Sequence, residues 1–231
     1  MTAPKVKTAV LISGRGSNMR TLLSAASSPD FPAEIGLVFS NRADAVGLEA
    51  ARAAGVATAT RSHRDFATRE DFDRAVHAVL VDHGTALVCL AGFMRVVSPW
   101  FCARWLGRLI SIHPALLPAF RGLDTHARAL AAGVKIHGAT VHYVVPELDA
   151  GPIIAQAAVP VLEADTPDTL AARVLVQEHV IYPRALGLVA SGRVRLAGGR
   201  TLSETSSSAE NALCVPDGPA GSPHTGHGVG G

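Results

Sequence analysis

The sequence is short of cysteine and of any charge imbalance, and each shortage removes a class of protein. Its three cysteines, Cys89, Cys102 and Cys214, are scattered and form no C-x-x-C pair. A disulfide framework or a zinc ribbon is therefore not expected, and a reducing, cytoplasmic setting fits best. Lys and Arg number 21 against 19 Asp and Glu, a net charge of +2. Broad nucleic-acid binding needs many phosphate-neutralising side chains, so a nucleic-acid partner is not expected. No apolar run reaches the ~18 residues of a membrane span, and no membrane partner is expected. The opening MTAPKVKTAV lacks the long apolar stretch and small-residue cleavage site of a secretory leader.

What is present is a large apolar fraction, 48% of 231 residues, enough for one substantial core. The chain alternates short apolar runs with segments of helical spacing. Strands are predicted at Thr8–Ser13, Glu34–Ser40, Val56–Thr60, Ala86–Ala91, Leu109–Ile112, Ala139–Val145 and Pro152–Pro160, with a small edge strand at Val194–Leu196. Helices are predicted at Met19–Ala26, Asp44–Ala54, Thr68–Asp82, Pro99–Trp105 and Thr125–Ala132, and a long one runs from about Asp165 to Val189 with Pro183 near a bend. Such alternation implies right-handed βαβ units. The expected fold is α/β: a Rossmann-like, twisted, mainly parallel sheet with helices on both faces. Residues 1–200 are expected to form one catalytic domain, and residues 201–231, rich in Ser, Gly and Pro, a disordered tail.

Three stretches carry chemistry. Thr8–Ser13, then Gly14-Arg15-Gly16-Ser17-Asn18, then a helix, is a strand, a glycine loop and a helix N-terminus, an arrangement that binds anions. Ser17 and Asn18 can cap that helix as well as hold a ligand. The dinucleotide fingerprint fails because Met19 stands where a third glycine belongs and Ser40-Asn41, not an acid, ends the next strand. The Gly-Lys-Ser/Thr of a P-loop is also missing, so a monophosphate is the better fit. A plain helix cap after a tight turn would account for this loop equally well on its own.

Next, Leu109–Ile112 should stop at His113 because Pro114 follows, which places an imidazole on a stiff loop at a strand end. Finally, Asp149-Ala150-Gly151-Pro152 puts a carboxylate in a turn just past another strand. Ligand sites of open α/β sheets lie beyond strand carboxyl ends. His113 and Asp149 are thus candidates for an acid/base pair. A histidine before proline is most often structural, and the nearby loop carboxylate is what raises this one. His126, His137 and His142 have no compact metal spacing, so no metal is expected; His142 is expected to line the cleft. His224 and His227 in the tail could hold a metal only adventitiously.

The motifs ISGRGSN, FSNRADAVGLEAARAAG, LAGFMRVVS, IHPALLPAFRGLDTHARAL, HGATVHYVVPELDAGPIIAQ and QEHVIYP, in this order from Thr8 to Leu186, are similar to those of the phosphoribosylglycinamide formyltransferase family of folate-dependent enzymes. The resemblance implies transfer of the formyl group of 10-formyltetrahydrofolate to the amine of phosphoribosylglycinamide in purine biosynthesis, with no metal. It implies that Gly16, Ser17 and Asn18 bind the substrate phosphate and that Glu178 holds the glycinamide end. It implies a folate site made by Arg69, Met94, Arg95, Val96 and Val97, closed by the loop that includes Val145 and Leu148. His113 and Asp149 match two members of the family's catalytic set. The third, an asparagine two residues before the histidine, is Ser111 here. Serine has one rotatable donor on a shorter stem, so the oxyanion site is expected to be weaker. A sugar-amine formyltransferase and a catalytically weakened folate- or nucleotide-binding relative are the alternatives. GRGSN favours a phosphorylated ribose over the first, and Ser111 alone favours the second. A transfer-RNA formyltransferase would need an RNA-binding domain where the short tail stands. A formyltetrahydrofolate hydrolase would need a regulatory domain ahead of the first strand. A monomer or homodimer is expected.

Overall fold

The computed structural model describes residues 4–204. Its centre is a seven-stranded sheet in the order β3-β2-β1-β4-β5-β6-β7, where β1 is Val6–Ile12, β2 Ala33–Ser40, β3 Ala57–Thr60, β4 Leu87–Leu90, β5 Leu109–His113, β6 Ile136–Tyr143 and β7 Ile153–Pro160. The first five strands are mutually parallel, while β6 runs antiparallel to both β5 and β7. The expected Rossmann-like α/β sheet is what forms.

Alternation along β1 shows why helices must cover both faces. Val10 and Ile12 enter one core and Ala9 and Leu11 the other, and all four are fully buried. The first core is closed by α1 (Ser17–Ala26), α2 (Gly47–Ala53), α5 (Thr125–Ala131) and α6 (Pro167–Ala190), through Met19, Leu48, Ala129 and Val174. The second is closed by α3 (Arg69–Asp82) and α4 (Pro99–Arg104), through Phe72, Val76 and Phe101. Thr68 caps α3 by accepting from the Asp71 N–H, and Ser98 caps α4 ahead of Pro99, as their positions in the sequence imply. The α6 helix continues through Pro183, and its Tyr182 hydroxyl reaches under the sheet to the carbonyls of Leu90 at 2.9 Å and Ile110 at 3.3 Å. That pins the ends of β4 and β5, the strands that carry the site.

Several boundaries differ from expectation. The α2 helix starts at Gly47, not Asp44: Asp44 pairs with Arg42 in a turn, and the Gly47 N–H is drawn to the Gly14 carbonyl at 3.0 Å. A side chain at Gly47 would strike Ile12, so glycine holds this helix close against the loop after β1. The β6 strand starts at Ile136, not Ala139, because His137 and Gly138 pair with Val159 and Ala158. The edge strand expected at Val194 belongs instead to a separate hairpin of β8 (Val194–Ala197) and β9 (Arg200–Ser203). Its two-residue turn, Gly198-Gly199, has φ of 56° and 72°, the left-handed geometry that tight hairpins demand. The tail therefore does not begin at residue 201; Thr201–Ser203 are strand. The rest of the expected tail, with His224, His227 and Cys214, lies outside the described residues.

Candidate active site

The sheet order reverses between β1 and β4, and the loops that leave these two strands flank a crevice. From β1 comes the glycine loop. Gly16, at φ 69°, sits at the N-cap of α1, and no side chain caps the helix. The capping expected of Ser17 and Asn18 does not occur, because both lie inside the first turn. The leading N–H groups of α1 therefore keep their positive end open to an anion. Its positive φ favours glycine, and a side chain there would press on the Met19 methyl at 2.9 Å and the Gly47 backbone at 3.3 Å. Asn18 turns inward, and its amide donates to Glu178 Oε2 at 2.6 Å, leaving Asn18 Oδ1 buried without a partner. Burial raises the Glu178 carboxyl above its ordinary value, against the Asn18 hydrogen bond and the positive influence of His179 and His113. Gly16, Ser17, Asn18 and Glu178 are thus brought together on one side of the crevice.

At the end of β5, His113 is buried, with 7% of its surface exposed. Its Nδ1 lies 3.4 Å from Asp149 Oδ2, and its Nε2 lies 3.0 Å from the Phe120 carbonyl. Both ring nitrogens face oxygen acceptors. The loop after His113 is braced from below. Thr140, register-paired with His113, donates to the Ala115 carbonyl at 2.7 Å and accepts from the Leu117 N–H at 3.0 Å. Thr125 donates to the Pro114 carbonyl at 2.7 Å.

Asp149 sits at φ 49°, a left-handed turn position that aspartate tolerates better than most residues. Its Oδ2 also accepts from the Gly122 N–H at 2.9 Å, and its Oδ1 lies 3.8 Å from His142 Nε2. Since His142 Nδ1 faces the Tyr143 carbonyl at 2.9 Å, that nitrogen carries the proton. Burial, first, lowers the His142 pKa, with Asp149 opposing. The neutral ring turns a bare Nε2 toward the carboxylate. Two acceptors so placed are ready to take a proton from a donor that enters between them. Gly151 allows this turn to close, because any side chain there would land on the Tyr143 carbonyl oxygen.

Beside this cluster, a small cleft of about 100 Å³ is lined by Phe93, Arg95, Val96, Val97, Ser111, His142 and the loop Val144–Asp149. Ser111 and His142 are register partners on β5 and β6, so Ser111 lies next to the reacting cluster. Arg95 half-buries its guanidinium 5.9 Å from the Phe72 ring and leaves Nε buried without a partner. The cleft thus offers a ligand an apolar wall and one unpaired cationic donor. Val145 and Leu148 are on its rim, and Val97 lines it while burying most of its side chain in the core with Phe101. Two residues expected here lie elsewhere: Met94 is 73% exposed and does not line the cleft, and Arg69, exposed at the start of α3, lies outside the lining. A larger cavity of about 960 Å³ also borders Asp149, between Pro118, Arg121 and the β8–β9 hairpin. Among the described residues no group of three or more His, Cys, Asp or Glu is placed to hold a metal ion, and no helix is long and apolar enough to cross a membrane.

Sequence reasoning missed Thr140 and Thr125, which brace the loop after His113, and Ser13, Asn41 and His63, which form a polar chain behind the crevice. The threonines lie inside HGATVHY and LDTHARAL, so the motifs contained them without revealing their work. Ser13 and Asn41 lie likewise inside ISGRGSN and FSNRADAVGLEAARAAG; His63 had no such signal.

Fold and site together define a doubly wound α/β protein with a carboxylate–imidazole pair set between an anion-binding helix terminus and an apolar cleft, a layout for acyl transfer between two small molecules. Comparison with known proteins narrows this. The formyl transferase family matches residues 6–186, and the chain belongs to that family. It is 46% identical over 187 residues to the phosphoribosylglycinamide formyltransferase of Escherichia coli (strain K12), an alignment that covers 81% of this chain and 88% of that one. It is 48% identical over 192 residues to the trifunctional purine biosynthetic protein adenosine-3 of Bos taurus, covering 83% of this chain but only 19% of that longer relative. The solved glycinamide ribonucleotide transformylase 1 of Symbiobacterium toebii superposes with a TM-score of 0.83 at 45% identity, over 85% of this chain and 93% of that one.

Proposed function

We propose that the protein transfers the formyl group of 10-formyltetrahydrofolate to the amine of phosphoribosylglycinamide, a step of purine biosynthesis. The observation that carries this reading is the His113–Asp149 pair at 3.4 Å, seated where the glycine loop and the Arg95 cleft meet. The uncapped N-terminus of α1 receives the phosphate through the backbone of Gly16, Ser17 and Asn18. Glu178 holds the end of the substrate that carries the amine. Arg95, Val96, Val145 and Leu148 hold the folate.

The residues then act in sequence. Asp149 and the bare Nε2 of His142 accept the proton that the amine must lose as its nitrogen bonds to the formyl carbon. His113 offers Nε2–H to the developing oxyanion, so the formyl oxygen must displace the Phe120 carbonyl from that proton. Ser111 adds a hydroxyl donor from the adjoining strand. As the oxyanion collapses, the bond from the formyl carbon to folate nitrogen breaks, and His113 returns a proton to that nitrogen. Fixed donors in a buried site contribute most of such stabilisation.

A coupled absorbance assay with 10-formyltetrahydrofolate and phosphoribosylglycinamide tests the reading; absence of product would overturn it. Ser111 favours a second reading, a weakened relative that binds both ligands. Tight binding of both without turnover would select it.

A further inference from the structure

We propose that Asn41 and His63 are positioning residues for the transfer, acting through Ser13 on the loop that walls the folate cleft. The proposal rests on the function proposed above. Ser13 follows β1 and fastens the loop after β4 twice: its N–H donates to the Gly92 carbonyl at 3.1 Å, and its Oγ accepts from the Met94 N–H at 2.8 Å. The Ser13 hydroxyl donates in turn to Asn41 Oδ1 at 2.6 Å, and Asn41 Nδ2 lies 3.3 Å from His63 Nδ1. Ser13 and Asn41 are 6% and 4% exposed. The chain thus ties the ends of β1 and β2 and the helical turn His63–Asp65 to the segment that continues into Arg95, Val96 and Val97.

The direction of this chain follows from chemistry. A backbone N–H can only donate, so Ser13 Oγ accepts from Met94 and gives its own hydrogen to Asn41 Oδ1. The Asn41 amide then presents N–H to His63, whose Nδ1 must be a lone pair and whose proton sits on Nε2. His63 also stands edge-on to Phe72 at 6.3 Å, the ring over which Arg95 lies. The relay and the one buried cation of the folate cleft therefore share a support. Protonating His63 would set donor against donor and open the far end of the chain. Burial first, then Arg95 and Arg64, disfavour that proton, while Asp65 favours it; Arg42 and Asp44 border the same cavity of about 380 Å³. Misplacing a bound reactant by about 1 Å costs up to 10²-fold in rate, so a hydrogen bond that sets the height of this wall is felt in turnover.

Two substitutions separate positioning from packing. His63→Asn keeps an oxygen acceptor near the place of Nδ1 and cannot be protonated; His63→Leu fills similar space without an acceptor. At pH 8, His63→Leu is expected to lower kcat/KM for 10-formyltetrahydrofolate by at least about tenfold, and His63→Asn to recover most of it. Below pH 6.5 the His63→Asn enzyme should lose less activity than the wild type, because its relay does not titrate. Equal constants in all three proteins, or equal losses in both variants with unchanged pH profiles, would overturn the proposal. Should the wild type make no product, the function proposed above falls. Calorimetric affinity for a stable formylfolate analogue then judges the relay: it must drop with leucine and return with asparagine, and three equal affinities would overturn it.

Discussion

Asp149 stands between two histidines, its Oδ2 at 3.4 Å from His113 Nδ1 and its Oδ1 at 3.8 Å from His142 Nε2. The two rings have different surroundings. His113 faces acceptors on both nitrogens, whereas His142 spends its proton on the Tyr143 carbonyl. One carboxylate therefore orients a donor and completes an acceptor at the same time.

That arrangement makes the pair act as a unit. His113→Ala and Asp149→Asn are each expected to cut turnover by at least roughly 10²-fold. The double variant should be little worse than the poorer single one, since residues that work together are non-additive. Steady-state absorbance kinetics, with folding checked by circular dichroism, measures all three. Near-normal rates in either folded single variant would refute the assignment.

Ser111 lies beside His142 where the resemblance places an asparagine. Loss of one oxyanion donor costs on the order of 10²–10³ in rate, so Ser111→Asn is expected to raise kcat with little change in KM. An unchanged or lower kcat would show that this site stabilises the oxyanion by other means.

Glu178 carries a buried carboxylate whose folded pKa is raised, chiefly by burial. The folded state then binds the proton more readily than the unfolded chain, so its contribution to stability is full below the unfolded value and is lost as pH rises through the folded one. Glu178→Gln should melt at a higher temperature than wild type at pH 8, and the difference should shrink toward pH 4. The same change should raise KM for the ribonucleotide. A lower melting temperature at pH 8 would count against the burial argument.

His137 shows the opposite sign. Burial, with His126 close by, lowers its pKa from 6.5 to about 4. The unfolded chain takes up the proton first as pH falls, so its contribution is present above pH 6.5 and lost toward pH 4. The loss is on the order of 3 kcal/mol. Urea titrations of His137→Gln across this window should give a flatter acid limb than the wild type, and parallel limbs would refute the claim.

Tyr182 contributes stability from α6, one turn beyond Glu178 on the same helix. Tyr182→Phe leaves the Leu90 and Ile110 carbonyls without the shared hydroxyl and should cost about 1–3 kcal/mol in chemical denaturation. A loss under half that range would show that β4 and β5 do not depend on it.

The parts of the site that could be read from the sequence are those that proline and glycine punctuate. Pro114 fixes His113 at a strand end, and Gly151-Pro152 marks the turn that presents Asp149. The glycine loop was legible for the same reason. The start of α2 was not, because it depends on Gly47 meeting a loop more than thirty positions away in the chain. Met94 was not legible for another reason: once β4 ends, no period says which side chains face the cleft, and this one stands exposed. The relay was not legible because His63 carries no local pattern and the motif around Asn41 does not name its partner; only the sheet order brings the two together.

The buried contact between Asn18 and Glu178 joins positions 160 residues apart. A ribosome releases the phosphate loop early and its carboxylate partner only after nearly the whole domain has emerged. A nascent chain halted within β7 would lack the carboxylate that receives the Asn18 amide. The proposed grip on the ribonucleotide therefore comes late in translation, and a truncation that clips the last long helix removes Glu178 together with Leu170, Val174 and Tyr182, which close one core of the sheet.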